Sequence, residues 1–231
     1  MSSDPIETGF VLRAVLSLAV TALILTVAIF LPAEDIRWRN GWLFLLVFLV
    51  LTAISVVYLW FRNPEIFIAR SRIQAGTKGW DKVIIVFLLG SLAAIFPVAG
   101  LDHRYHWSSV PLWLIVLGYV LFSFGFITSI WVYSVNKFAE PGVRIQTERG
   151  HKVIDTGPYA IVRHPLYFFS IFLVSGIALA LGSFWALIPV AIGTMVLFVR
   201  TALEDRLLHE ELEGYREYAK RVRYRLIPGV W

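Results

Sequence analysis

The sequence predicts an all-α, polytopic membrane protein, and three observations lead to this prediction. First, 58% of the 231 residues are hydrophobic and only 16% are charged, whereas a soluble domain carries about 25% charged residues. Second, the apolar residues fall in long blocks without Asp, Glu, Lys or Arg. Third, Lys and Arg are concentrated in alternate loops between these blocks. The uncharged blocks are residues 14–31, 41–61, 83–101, 107–135 and 165–199.

The lengths of these blocks predict about six transmembrane helices. A bilayer core of ~30 Å needs about 20 helical residues, so each of the first four blocks fits one crossing. The block 165–199 is too long for one crossing and fits two short ones, with a turn expected at Gly182 and Ser183. We expect the fifth and sixth helices to form a hairpin that barely reaches the far interface.

The distribution of positive charge predicts the orientation. Segments 62–82 and 136–164 each contain five Lys or Arg residues, and the tail 200–231 contains seven. Six helices with the N-terminus inside place all three on one side, which the positive-inside rule assigns to the cytoplasm. We therefore expect a multi-pass protein with both termini and its polar segments cytoplasmic. Topology accounts for the net charge of +5, so no nucleic-acid partner is expected.

The two ends of the chain carry further expectations. Residues 1–9 lack the basic start and cleavage site of a signal peptide, so the first helix is expected to remain as an anchor. The tail is amphipathic, and we expect the sixth helix to continue to about Lys220. The apolar end 224–231 should fold back as a coil. The chain has no cysteine, which excludes thiolate metal sites, and no metal is expected.

Polar residues cluster at the two mouths of the predicted hairpin. Residues 157–167 lead into the hairpin, and Arg200, Glu204 and Asp205 follow it. Such groups are costly to desolvate at a membrane boundary unless they find partners. We expect Pro165 in the first helical turn, with residues 163–164 capping that helix end. The two mouths together predict a site for a polar cofactor beside the lipid.

A set of motifs in this region has a recognisable order and spacing. The motifs are Gln146, His151-Lys-Val-Ile154, Gly157-x-Tyr159, Arg163-His-Pro-x-Tyr167, Arg200 with Glu204-Asp205, and Tyr215-x-x-Tyr218. In this arrangement the segment from Gln146 to Trp231 resembles the isoprenylcysteine carboxyl methyltransferase family and the related phospholipid methyltransferases. It covers a little over a third of the chain. One departure is Phe169, where the family usually has glycine.

The resemblance implies a membrane methyltransferase that uses S-adenosylmethionine and acts on a lipid-linked or amphiphilic acceptor. Residues 1–135 would form four scaffold helices with lipid-side substrate access, and residues 136–231 the cofactor-binding catalytic region. Arg200 is implied as the catalytic and substrate-binding residue. The implied cofactor-binding residues are Gln146, His151, Lys152, Val153, Ile154, Tyr159, His164, Pro165, Leu166, Tyr167, Glu204 and Asp205.

The residue types favour carboxylate O-methylation of the isoprenylcysteine type. A carboxylate is ionised at neutral pH and needs no general base, and a guanidinium such as that of Arg200 can bind it through two parallel hydrogen bonds. Three alternatives stay open: amine N-methylation of a phospholipid, an NADPH-dependent reductase of the sterol or steroid type, and a non-enzymatic membrane subunit or transporter. Arg200 and Glu204 are also spaced i, i+4, so a simple salt bridge is another interpretation.

Overall fold

The computed structural model describes the backbone of residues 5–231 and the side chains of residues 12–231. The predicted lack of a signal peptide rests partly on residues 1–4, which lie outside the described residues. All regular structure in the described part is helical. The helices are α1 (Pro5–Ala33), α2 (Arg39–Arg62), α3 (Glu65–Ala69), α4 (Gly79–Tyr105), α5 (Leu112–Val135), α6 (Pro165–Ala180), α7 (Leu187–Glu211) and α8 (Tyr215–Arg221).

Five helices are long and apolar enough to cross a membrane, namely α1, α2, α4, α5 and α7. Only 17–28% of the residues in each span are buried within the protein, so much of their apolar surface is left for lipid. The protein is therefore an integral, multi-pass membrane protein, as predicted. The sixth apolar helix, α6, has 16 residues and a length of about 24 Å, which is shorter than the bilayer core.

The predicted hairpin is present, but its two arms differ in length. Residues 181–186 form the turn, and Gly182 adopts a φ of +76° that favours glycine. The second arm, α7, has 25 residues. Its last part continues beyond the apolar block and carries Arg200, Glu204 and Asp205. The charged end of α7 is thereby brought beside the start of α6.

Close contact between α5 and α6 depends on glycine. A Cβ atom added to Gly118, Gly125 or Gly176 would lie closer than 3.0 Å to backbone atoms of the opposite helix. Phe169, at the position where the sequence departs from the pattern that it resembles, is buried and packs edge-on against Phe124 of α5 with ring centroids 5.8 Å apart. The glycine that permits close approach here is Gly125, whose added Cβ would meet the Phe169 carbonyl.

The C-terminal region breaks earlier than predicted. Helix α7 ends at Glu211 rather than near Lys220, because Gly214 adopts a φ of +78° and redirects the chain into the separate helix α8. Residues 224–231 fold back as expected. The backbone N–H groups of Arg163 and His164 donate to the carbonyls of Tyr224 and Arg225, each over 2.9 Å. The returning tail is thus joined directly to the chain that enters α6.

Candidate active site

A cavity of about 160 Å³ lies at the polar ends of α5, α6 and α7. The 136–164 segment and α8 complete its walls. We call it the polar cavity. Of the thirteen residues that the sequence suggested, it is lined by Gln146, His151, Lys152, Val153, Ile154, Tyr159, His164, Leu166, Tyr167, Arg200 and Glu204. Two do not line it. Pro165 occupies the first turn of α6, as expected, and Asp205 lies behind the wall.

The loop before α6 is held in shape by Gln146. Its side chain is 1% exposed, and its amide nitrogen donates to the Phe138 carbonyl over 2.7 Å. Its amide oxygen accepts from Arg149 over 2.8 Å. The His151 ring packs on Phe138 with centroids 4.6 Å apart, and desolvation by burial lowers the pKa of His151 below its ordinary value. Gln146 therefore borders the cavity while its own polar atoms bind the loop.

At the start of α6, Tyr167 forms a hydrogen-bonded pair with Glu204 of α7, and both residues border the polar cavity. The Tyr167 hydroxyl donates to Glu204 Oε2 over 2.5 Å, which joins α6 to α7. The His164 ring stacks parallel to Tyr167 at 5.8 Å, and its Nδ1 lies 3.9 Å from Glu204 Oε2. His164 occupies the N-cap position of α6, as predicted, and its side chain makes no capping hydrogen bond. The two hairpin mouths nevertheless meet, as the sequence suggested.

Tyr159 fixes a second wall of the cavity. Its hydroxyl accepts a hydrogen bond from the Asn136 side chain over 2.6 Å, and its carbonyl accepts one from the Tyr218 hydroxyl over 2.7 Å. Burial raises the pKa of the Tyr159 phenol, so the group stays protonated at neutral pH. The contacts tie the end of α5 to α8 across the cavity.

Asp205 is the centre of a buried charge network behind the polar cavity, which we call the Asp205 network. Its carboxylate is 1% exposed and accepts two hydrogen bonds from Arg163, over 2.8 and 3.0 Å. Arg225 donates over 2.8 Å and the Tyr215 hydroxyl over 2.9 Å, and His164 Nε2 lies 3.3 Å away. Asp205 therefore links α7 to the start of α6, to α8 and to the tail. It does not border the polar cavity.

Arg200 is neutralised by a residue from a distant part of the sequence. Asp81, in the first turn of α4, is fully buried. Arg200 donates Nε and Nη2 to its two oxygens over 2.8 and 3.0 Å, and Nη2 also donates to the Pro141 carbonyl over 2.6 Å. No such bond joins Arg200 to Glu204 among the described residues. Asp81 therefore accepts the two parallel hydrogen bonds from Arg200 that the sequence suggested for a substrate carboxylate.

A second, apolar cavity of about 430 Å³ lies between α4, α5, α6 and α7, within the membrane-spanning region. Leu92, Phe126 and Leu197 are typical of its walls. We call it the apolar cavity. Four residues border both cavities and mark their junction: Arg70, Leu166, Tyr167 and Arg200. A polar cavity that adjoins an apolar one suits a ligand with a polar head and an apolar chain.

Several residues of the site were not found from the sequence. Asp81 and Arg70 both lie in the segment 62–82, which carries none of the sequence motifs. The signals were the positive charge of the segment and the position of Asp81 just before the apolar block that starts at residue 83. Phe138, Asn136 and Leu208 also border the polar cavity. Tyr215 and Tyr218 belong to the sequence motifs and also border the polar cavity, although the sequence suggested no role for them in the site.

The fold defines a multi-pass membrane protein in which a polar cavity adjoins an apolar one. Residues 113–213 match the family model described as phospholipid methyltransferase. The match covers less than half of the chain and identifies it as a membrane enzyme similar to this family, whose members transfer a methyl group from S-adenosylmethionine. The match runs from α5 to just beyond α7 and so includes the hairpin and most of the polar cavity. No curated protein matches the chain.

The family match selects among the alternatives that the sequence left open. The protein is an S-adenosylmethionine-dependent methyltransferase that acts on a lipid, so the reductase and the non-enzymatic subunit are set aside. The roles of individual site residues, the division at residue 135 and the cytoplasmic orientation stay predictions.

Proposed function

We propose that the protein methylates the carboxylate of an isoprenylcysteine-type amphiphile, at the cytoplasmic surface of the membrane. The observation that carries this proposal is the junction of the two cavities. Two guanidinium groups, of Arg70 and Arg200, border it together with Tyr167. Guanidinium N–H donors between a donor pocket and an apolar cavity suit an acceptor with an anionic head and a hydrocarbon chain.

The residues of the polar cavity fit S-adenosylmethionine by their chemistry. When bound, the cofactor supplies an electrophilic methyl group on a sulfonium. Glu204 would take its ammonium group or ribose hydroxyls, and Lys152 would take its carboxylate. Tyr159 and Tyr167 offer aromatic faces, which favour both adenine and a positive charge. His164 and Tyr167 stack and are held by Glu204, so this wall is pre-organised.

On the acceptor side the chain's residues bind and orient rather than move a proton. A carboxylate acceptor is already ionised at neutral pH, so it needs no base. Asp81 and Pro141 hold Nε and Nη2 of Arg200, which leaves Nη1 to donate to an acceptor oxygen. The fixed guanidinium would then orient the acceptor toward the polar cavity. Such positioning can supply much of the rate enhancement in a direct displacement.

A second candidate is N-methylation of a phospholipid amine. The observation that favours it is the contact between the Tyr167 hydroxyl and Glu204. Glu204 borders the polar cavity next to Tyr167, and its carboxylate can accept the proton which an ammonium headgroup must lose before it attacks. The name of the matched family also fits this acceptor. The two candidates differ in which atom receives the methyl group.

A methyl-transfer assay separates the candidates. Purified protein in lipid nanodiscs receives S-adenosylmethionine with a labelled methyl group and either a prenylcysteine acid or phosphatidylethanolamine. We expect a labelled methyl ester, which mild base releases as methanol. A base-stable N-methyl product from the phospholipid alone would support the second candidate. Absence of label from both acceptors would reject the proposed function.

We expect Glu204→Gln to weaken cofactor binding by about tenfold to a hundredfold, since a charge-assisted contact is worth roughly 1.5–3 kcal/mol. Glutamine keeps the size of the side chain and removes its charge. Calorimetric titration with S-adenosylhomocysteine measures the affinity without turnover. Glu210→Gln, on the exposed end of α7, is the control and should bind as the wild type does. Equal affinities in both variants would remove Glu204 from the cofactor site.

We expect Arg200→Gln to lower kcat/KM for the acceptor by at least about a hundredfold while it changes cofactor affinity less than threefold. This substitution also leaves Asp81 buried without its partner, which destabilises the protein. The double variant Asp81→Asn/Arg200→Gln removes that unpaired charge. It should recover thermal stability and remain inactive. Recovery of activity in the double variant would show that Arg200 serves the fold alone.

A further inference from the structure

The polar cavity is lined by four arginines, and three of them are paired with carboxylates. Arg144 binds Glu140, Arg163 binds Asp205, and Arg200 binds Asp81. Arg70 differs. Within the part of the chain that the structure describes, no carboxylate lies within ion-pair distance of its guanidinium. Its charge is therefore the one guanidinium charge of this wall that a ligand could neutralise.

The position of Arg70 is defined by two contacts that leave most of its donors free. Its guanidinium carbon lies 4.6 Å from the centroid of the Tyr133 ring on α5, an attractive cation–π arrangement. Its Nη1 donates to the Ala139 carbonyl over 3.2 Å. Neither contact supplies a negative charge. An arginine has five N–H donors in a planar fork, so a set of donors remains for an oxygen anion.

Arg70 also stands at the place where an acceptor would pass. It borders both the polar and the apolar cavity and is exposed at the surface. The residue follows the short helix α3 and lies outside the segment that matches the family model, residues 113–213. Neither the sequence motifs nor the family match gave it a role.

We propose that Arg70 binds the anionic oxygen group of the amphiphilic acceptor and selects acceptors that carry one. The inference rests on the proposed function, because it needs an acceptor that spans the junction. The recognised chemistry is a carboxylate or a phosphodiester next to an apolar chain. Arg70 and Arg200 border the same junction, so Arg200, fixed by Asp81, can donate to one oxygen of this group while Arg70 supplies its uncompensated charge. Arg70 is thus a specificity-determining residue that does not touch the methyl donor.

The test compares Arg70→Gln, Arg70→Lys and the control Arg72→Gln in nanodiscs. Arg72 lies in the same exposed loop and borders neither cavity. Acceptor KM, kcat and S-adenosylhomocysteine affinity are measured for each. Two acceptors, a prenylcysteine acid and phosphatidylethanolamine, separate the carboxylate from the phosphodiester as the recognised group. A prenylcysteine amide, which keeps the chain but has no anionic group, is used as a competitive inhibitor.

We expect Arg70→Gln to raise acceptor KM about tenfold or more, with kcat and cofactor affinity nearly unchanged. Arg70→Lys should recover part of the loss, and inhibition by the neutral amide should not change. A KM equal to that of Arg72→Gln, or an equal loss of amide inhibition, would overturn the inference. Unchanged cofactor affinity shows that the variant is folded. Lack of transfer by the wild type to either acceptor would instead reject the proposed function, so the two failures are distinguishable.

Discussion

Replacing Asp205 by asparagine is expected to destabilise the protein by about 3–5 kcal/mol, because it leaves buried positive charge without compensation. Asp205 accepts hydrogen bonds from two guanidinium groups, those of Arg163 and Arg225, and from Tyr215. Asparagine keeps the shape of the side chain but carries no charge and offers one acceptor oxygen in place of two. The loss should appear as a lower unfolding temperature in detergent and as weaker cofactor binding.

The matched control for this prediction is Asp155→Asn. Asp155 also pairs with an arginine, Arg221, over 2.9 Å, but both side chains are largely exposed. Exposed pairs contribute at most about 1 kcal/mol, so this variant should unfold close to the wild-type temperature. If Asp205→Asn behaved like Asp155→Asn, the network would have to be regarded as an incidental set of contacts.

The second large effect is expected for Gly176→Ala in α6. The added methyl group would lie closer than 3.0 Å to the backbone nitrogen of Phe122, and a backbone cannot move aside as a side chain can. Helices α5 and α6 must then separate, at a cost of about 3 kcal/mol. The shift would also displace His164 and Tyr167 at the start of α6, so cofactor affinity should fall together with the unfolding temperature.

Gly90→Ala provides the comparison for this glycine. Gly90 lies within α4, and a Cβ added there meets nothing within 4 Å. Alanine is the better helix former by about 0.5–1 kcal/mol, so this variant should be as stable as the wild type or slightly more stable. An equal response of the two glycines would mean that the close contact between α5 and α6 does not limit stability.

Much of the architecture followed from the sequence because its signals are local. Uncharged blocks fixed the apolar helices, and Gly182 marked the hairpin turn. The end of α7 was misplaced since continuous amphipathic spacing hid the effect of Gly214, whose positive φ breaks the helix.

The site was predictable as a set of motifs but only partly as a set of roles. Glu204 and Asp205 are adjacent, and neighbouring helix positions point about 100° apart. One therefore borders the polar cavity while the other serves the Asp205 network. The sequence alone does not show which of the two borders the cavity and which belongs to the network. Asp81 and Arg70 were missed for a different reason. They reach the site through tertiary contacts between segments far apart in the sequence, and motif spacing does not reveal such contacts.

The bond between Asp81 and Arg200 also sets a condition for protein engineering. The segment that matches the family ends before α8 and begins after α4, so a chimera that transplanted it alone would carry Arg200 without its counter-ion. Such a graft would need an acidic residue supplied by the recipient scaffold at the corresponding depth. Conversely, swapping the scaffold helices while retaining the first turn of α4 should leave the guanidinium in place.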